Sequence, residues 1–161
     1  MLPDGVSAAR YSLDTSALLN TWRKFYPPDV FPSLWQRVEE LADSGTLVAS
    51  EEVLVELERK DDEVYAWAKE RAQMFVPIDA QVQQVVRRVL RDYPRLLDTR
   101  RSRSGADPFV IALADILGCA VVTYETRSNN ASRPRIPDVC DAMGVRCVSF
   151  LDFIREQGWR I

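Results

Sequence analysis

The sequence predicts an α/β protein: a three-layer α/β/α sandwich around a mainly parallel central sheet of about five strands. Three observations predict it. Short apolar runs alternate along the 161 residues with longer segments of helical period. Residues 119–124 are apolar almost without a break, as expected of a strand covered on both faces. The segment from Phe109 to Leu117 is apolar on nearly every side, which marks a central helix.

Residues 1–9 read as a loose tail and 10–161 as a single domain. Residues 10–14 form the first strand, which ends on Asp14. A helix follows, capped by Thr15 or Ser16. It runs to about Phe25, where Tyr26-Pro27-Pro28 breaks it. Residues 31–44 restart as a helix, with Leu34, Trp35, Val38, Leu41 and Ala42 on one face and Gly45 just past its end. Residues 46–49 are the second strand. Ser50 caps a helix that reaches Lys60 and buries Val53, Leu54 and Leu57. Glu56 lies about 60° from Val53 at roughly 100° per residue, on the border of that buried stripe. Another helix covers about 61–73, and residues 74–78 are the third strand.

Asp79 caps a helix with Val82, Val85, Val86, Val89, Leu90 and Tyr93 at i, i+3, i+4, i+7 spacing, and Pro94 ends it. Residues 96–105 form an arginine-rich loop. Asp107-Pro108 opens the central helix, with proline at N1 and Gly118 at C′. Residues 119–124 are the fourth strand, followed directly by Glu125. After a polar loop over 126–135 come a short helix (137–143), a fifth strand (145–150) and a last helix (151–157).

Composition narrows the chemistry. Histidine is absent, which removes Ser-His and Cys-His nucleophile pairs and histidine-based zinc sites. Carboxylates are then the expected acid–base groups and metal ligands. Cys119, Cys140 and Cys147 lack metal-ligand spacing and read as small core residues of a reducing cytoplasm. No apolar run is long enough to span a bilayer, and no export signal is expected. The net charge is -3, yet residues 87–103 carry seven arginines against Asp92 and Asp98; that segment is +5 and the rest of the chain -8. The loop over 127–135 adds three arginines and no acid. Clustered arginine suits phosphate by charge and by its bidentate fork, although such runs are also ordinary solvated surface.

Four acids stand where strands end or the core begins: Asp14 after the first strand, Glu125 after the fourth, Asp107 at the head of the central helix, and Glu56 on the helix after the second strand. Right-handed crossovers place the first and fourth strands side by side if the chain reverses direction there. Ligands gather at that switch point. Carboxylates crowded together repel unless a cation joins them. Oxygen-only ligands select Mg²⁺ or Mn²⁺, ions that polarise phosphoryl oxygens and acidify bound water. Each acid also has a plainer role: Asp14 and Asp107 as helix caps, Glu56 as a solvated helix residue, Glu125 as a loop acid.

Leu13-Asp14-Thr15-Ser16, Glu56, the run from Ala106-Asp107-Pro108 to Ala114, and Val122-Thr123-Tyr124-Glu125 resemble, in order, the acidic motifs of PIN domains. Trp22-Arg23-Lys24-Phe25-Tyr26-Pro27-Pro28-Asp29-Val30-Phe31 and Arg135-Ile136-Pro137-Asp138-Val139-Cys140 are similar to a little-characterised bacterial and archaeal PIN-like subfamily. The resemblance implies a Mg²⁺- or Mn²⁺-dependent ribonuclease fold, often the toxin half of a VapBC-type toxin–antitoxin pair. Asp14, Glu56 and Asp107 fall on three acidic ligand positions. Glu125 falls where many PIN domains have aspartate, and its extra methylene bears on whether one ion binds or two.

The expected function is therefore a cytoplasmic metal-dependent endoribonuclease, the toxin of such a pair. Asp14, Glu56, Asp107 and Glu125 are its catalytic and metal-binding residues. Thr15, Ser16 and Thr123 orient the ligands. Arg95, Arg100, Arg101, Arg103, Arg127 and Arg133 steer RNA. Trp22, Phe25 and Tyr26 stack bases, pack or hold a partner. The expected partners are an RNA substrate and a cognate antitoxin protein, with a homodimer left open and no membrane. The alternative is a non-catalytic module of the same fold that binds RNA or protein. A third reading, phosphotransfer through Asp14, meets an objection: Thr15-Ser16 follow where a haloacid-dehalogenase-type phosphatase has a second aspartate.

Overall fold

Helix α6 (Asp107–Leu117) is the hub of the computed structural model, which describes residues 9–97 and 105–161. Pro108, Val110, Ile111, Ala112, Leu113 and Ala114 are all buried, as an all-round apolar helix requires. The helix packs on three strands and on the helices either side of it. Each buried Val, Ile or Leu of this kind contributes about 1.5–3 kcal/mol of apolar transfer. Gly118 ends the helix at φ 68°, a left-handed backbone that a side chain would resist.

The sheet is parallel throughout. Its strands are β1 (Tyr11–Leu13), β2 (Leu47–Ser50), β3 (Phe75–Val76), β4 (Ala120–Val122) and β5 (Cys147–Val148). Among the described residues they stand in the order β3-β2-β1-β4-β5. The chain steps outward from β1 to β3, then crosses back to pair β4 with β1. The register sets Leu13 opposite Val122, so Asp14 and Thr123 leave the sheet level with each other. The topological switch thus falls between them.

Right-handed crossovers assign the helices to two faces. On one face lie α1 (Thr15–Asn20), α2 (Pro32–Asp43), α3 (Glu51–Lys60) and α4 (Asp62–Lys69), joined by α8 (Phe150–Gln157). A tryptophan cluster ties this layer together: Trp35 meets Trp22 at 4.9 Å and Trp67 at 5.4 Å between ring centroids. Helix α8 closes on it through Phe153, edge-on to Tyr11 at 4.8 Å. The other face carries α5 (Ala80–Asp92), α6 and α7 (Ile136–Met143).

The three-layer sandwich expected from the sequence is the one observed. Details differ for local reasons. Strands β1 and β5 are shorter than expected because polar caps cut them off. Asp14 leaves β1 to cap α1, and Ser149 accepts the Asp152 amide at 3.0 Å, so that Phe150 already begins α8. The expected helix over 61–73 stops at Lys69 and resumes as a 3-10 turn, Ala72–Met74. Beyond α1 the helix widens into a π-helical segment, Thr21–Phe25. Leu96, expected to begin a polar loop, is fully buried in a 3-10 turn, Pro94–Leu97. Ala9, expected in the tail, is also buried. Asp107 is the first helical residue of α6, one place earlier than expected, which moves Pro108 from N1 to N2. The cysteines are unbridged. No described helix is long and apolar enough to cross a membrane.

Candidate functional site

Asp14 sits at the carboxyl end of β1 and is only 2% exposed. As N-cap of α1 its Oδ1 accepts the Ala17 amide at 2.6 Å. The Ser16 hydroxyl donates to both carboxylate oxygens, at 2.8 and 2.9 Å. The Thr123 hydroxyl, at the end of β4, donates to Oδ2 at 2.5 Å. Burial pushes the Asp14 carboxyl from 3.8 up to about 7, against the opposing pull of the Thr123, Ala17 and Ser16 donors; the Glu125 charge adds to the rise. Asp14 is thus a cap residue and more: it is a buried carboxylate whose donors, among the described residues, are two hydroxyls and one amide.

The other acids are tied to the same edge through shared partners. Thr15, next to Asp14, donates its hydroxyl to Glu56 Oε2 at 2.7 Å. Glu56 is 2% exposed and also accepts the Ala106 amide at 3.1 Å, with Lys60 Nζ 4.0 Å away. It is not a solvated helix residue. That amide immediately precedes Asp107, which is itself buried. The N-cap of α6 is Ala106, without a side-chain cap bond, so the helix start does not explain Asp107 as a cap. Glu125 is half-buried. Its amide donates to the Thr123 hydroxyl at 3.0 Å, and its carboxylate accepts the Ile136 amide at 3.0 Å, at the start of α7.

The structure therefore links Asp14 to Glu125 through Thr123, and Asp14 to Glu56 and the head of α6 through Thr15 and Ala106. Thr15, Ser16 and Thr123 each bond one of the acids directly or, for Thr123, two. Among the described residues no three Asp, Glu or Cys side chains stand close enough to form a finished ligand cluster. The donor chemistry nonetheless fits a hard divalent cation. The available atoms are carboxylate and hydroxyl oxygens, and Asp14 is desolvated with, among the described residues, neutral donors alone bonded to it.

The arginines are placed less uniformly. Arg100, Arg101 and Arg103 lie outside the described residues. Arg95 and Arg133 are exposed. Arg127 spends its fork on Asp141, at 2.5 and 2.8 Å, fastening the loop after β4 to α7. Beside it an open groove of about 270 Å³ runs between the ends of β4 and β5, lined by Thr123, Glu125, Ser149 and Asp152 among others.

Sequence reasoning missed the part played by Thr21 and Tyr124. Thr21 is fully buried, and its hydroxyl donates to the Tyr124 hydroxyl at 3.1 Å. The Tyr124 amide donates to Ser16 Oγ at 3.4 Å. No spacing signals either bond: the first depends on the π-helical segment that Thr21 opens, and the second on the pairing of β1 with β4, which brings Tyr124 to the start of α1. Of the aromatics named from the sequence, Trp22 packs in the tryptophan cluster and Tyr26 against Phe31 and Phe150, while Phe25 is 52% exposed.

The family described as a domain of unknown function, DUF4411, matches residues 11–161. The chain belongs to this family. A comparison with curated proteins finds no match. Among solved structures the DUF4411 chain is similar to FitAcB from Neisseria gonorrhoeae, at 16% identity and TM-score 0.50, over 86% of this chain and 96% of the other. It is also similar to VapBC2 from Rickettsia felis, solved bound to a DNA fragment from their promoter, at 20% identity and TM-score 0.46, over 71% of this chain and 86% of that one. The likeness to FitAcB is one of fold, and the DUF4411 fold is PIN-like.

Proposed function

We propose that this protein is a divalent-metal-dependent endoribonuclease, acting as the toxin of a toxin–antitoxin pair. The observation that carries the reading is Asp14: a buried carboxylate at the sheet's switch point, held by neutral donors among the described residues and linked through Thr123 to Glu125 and through Thr15 to Glu56, which in turn accepts the amide before Asp107. Asp14 and Asp107 would hold the principal Mg²⁺ or Mn²⁺, with Glu56 and Glu125 completing the shell or orienting water. When bound, such an ion polarises a phosphoryl oxygen and lowers the pKa of its water.

The chain's own residues do the positioning. Thr123 and Ser16 fix both oxygens of Asp14, and its capping bond to Ala17 prevents rotation. Thr15 and the Ala106 amide fix Glu56 in the same way. Exposed Arg95 and Arg133 supply cations for the RNA backbone. An antitoxin protein, the partner implied by the motif resemblance, would cover this edge.

The test is cleavage of RNA by purified protein with Mg²⁺ or Mn²⁺, against Asp14→Asn. Metal-dependent cleavage lost in the variant supports the reading; equal cleavage by both removes it. Growth arrest on expression, absent for Asp14→Asn, tests the toxin role. A second reading, a non-catalytic RNA- or protein-binding module, draws on the engagement of Glu125 with the Ile136 amide, which takes it into a structural bond. Absence of Mg²⁺ and Mn²⁺ binding in calorimetry, together with salt-sensitive RNA association, would establish that reading instead.

A further inference from the structure

Phe25, the last residue of the π-helical segment, presents a wide aromatic face to water at 52% exposure. Its other face is covered. The ring lies nearly parallel to Tyr124, at 4.9 Å and 18°. Tyr124 in turn lies nearly parallel to Phe150, at 6.5 Å and 10°, and Phe150 is buried. Three rings thus form a ladder from the core to the surface. Offset parallel stacking of this kind is favourable between any flat π systems, and the ladder ends in an open rung.

The ladder is rigidly held, and it is held to the candidate site. Thr21 opens the π-helical segment and bonds the Tyr124 hydroxyl; Phe25 closes the segment and covers the Tyr124 ring. The Tyr26 amide reaches back to the Thr21 carbonyl at 2.8 Å, the wide turn that a π-helix makes. One added residue per turn shifts where residue 25 points relative to an α-helical continuation. Local π geometry of this kind recurs at functional sites. Tyr124 also donates its amide to Ser16, and its neighbour Thr123 bonds Asp14. One side chain therefore separates the ladder from the carboxylate at the switch point. Lys24, next to Phe25 in sequence, is exposed as well.

We propose that the outer face of Phe25 is a stacking platform for an unpaired base of the RNA strand, set beside Asp14 by Tyr124. This rests on the ribonuclease reading of the edge and adds to it a substrate class: single-stranded RNA, with a base unstacked next to the cleavage point. Stacking tolerates any base, since each has a π face. Phe25 is a positioning residue that acts on affinity and register.

The experiment uses the full chain and single-stranded RNA oligonucleotides carrying 2-aminopurine at successive positions, bound in EDTA so that no cleavage intervenes. Wild type is expected to quench the probe at one position. Phe25→Leu keeps apolar bulk without a π face; it is expected to lose the quenching and weaken binding about 5- to 100-fold. Phe25→Trp is expected to restore both. RNA with an abasic nucleotide at that position is expected to bind wild type and Phe25→Leu alike. With Mg²⁺ or Mn²⁺ added, Phe25→Leu should raise KM and leave kcat within about twofold.

Equal quenching and affinity for wild type and Phe25→Leu overturn the proposal, as does equal weakening on intact and abasic RNA. If Phe25→Leu loses only the capture of a protein partner, with RNA binding unchanged, the ring is a protein contact and the proposal is overturned. Failure of the ribonuclease reading looks different: the probe is quenched in a Phe25-dependent way, yet no metal promotes cleavage.

Discussion

The hydroxyl of Thr15 donates to Glu56 at 2.7 Å with both residues 2% exposed, so a helix that follows β1 holds in place an acid from the helix that follows β2. A buried carboxylate that loses a donor bears the full cost of its lost solvation. Thr15→Val keeps the shape and removes the bond. It is expected to destabilise the fold by about 1–3 kcal/mol, which for a chain of this size lowers the thermal midpoint by several degrees. Calorimetry checks this, and RNA cleavage should fall with it while Asp14 is untouched.

Asp14 makes stability depend on pH in an unusual direction. Its folded value of about 7 stands above the ordinary 3.8, so the folded state holds the proton more tightly than the unfolded chain does. The contribution is fully present below pH 3.8 and is lost as pH rises through 7. The full loss is on the order of 4 kcal/mol. In EDTA the thermal midpoint should fall between pH 5 and 8. Asp14→Asn, which cannot ionise but still caps α1, should show a flatter profile and melt higher at pH 8. Adding Mn²⁺ at pH 8 should raise the wild-type midpoint and leave Asp14→Asn unmoved. A wild-type midpoint that rises with pH in EDTA would contradict the assignment.

Ile111 is fully buried at the middle of α6, between the sheet and its flanking helices. Ile111→Ala should cost about 2–5 kcal/mol, through lost transfer energy and the cavity left behind. Denaturant unfolding measures this directly. Because Asp107 begins the same helix, cleavage should weaken even at temperatures where the variant stays folded.

Arg127 and Arg133 should separate in their effect on RNA binding. The Arg127 fork is engaged by Asp141, whereas Arg133 is exposed. Arg133→Ala should reduce the slope of log affinity against log salt by about one. Arg127→Ala should leave that slope nearly unchanged and leave the thermal midpoint where it is. A loss of slope in Arg127→Ala would mean that RNA displaces Asp141.

Much of this was legible before any coordinates. Right-handed crossovers and the alternation of strand and helix suffice to place β1 beside β4, and so to bring Asp14 and Thr123 to one edge. The helix period was enough to put Glu56 at the border of the core. The limits are local. Over five residues α and π helices share their apolar spacing, so the turn from Thr21 to Phe25 leaves no mark in the pattern. The bond from the Ile136 amide to Glu125 depends on how the loop before α7 folds. Asp138 sets that fold by accepting the amides of Ser128 and Arg135 at 3.0 and 2.8 Å, loop bonds that carry no periodic signal. Strand ends were overrun because a cap such as Ser149 stops a strand without interrupting its apolar run.

All four tryptophans serve one side of the sheet: Trp22, Trp35 and Trp67 in the cluster over the π-helical segment, α2 and α4, and Trp159 against Phe153 of α8. Intrinsic emission is consequently a one-sided reporter. A fluorescence melt follows the layer that carries Phe25, while circular dichroism follows both. If the α5–α6–α7 layer loosens first, the two optical curves will separate, and the gap between them will read out that layer alone.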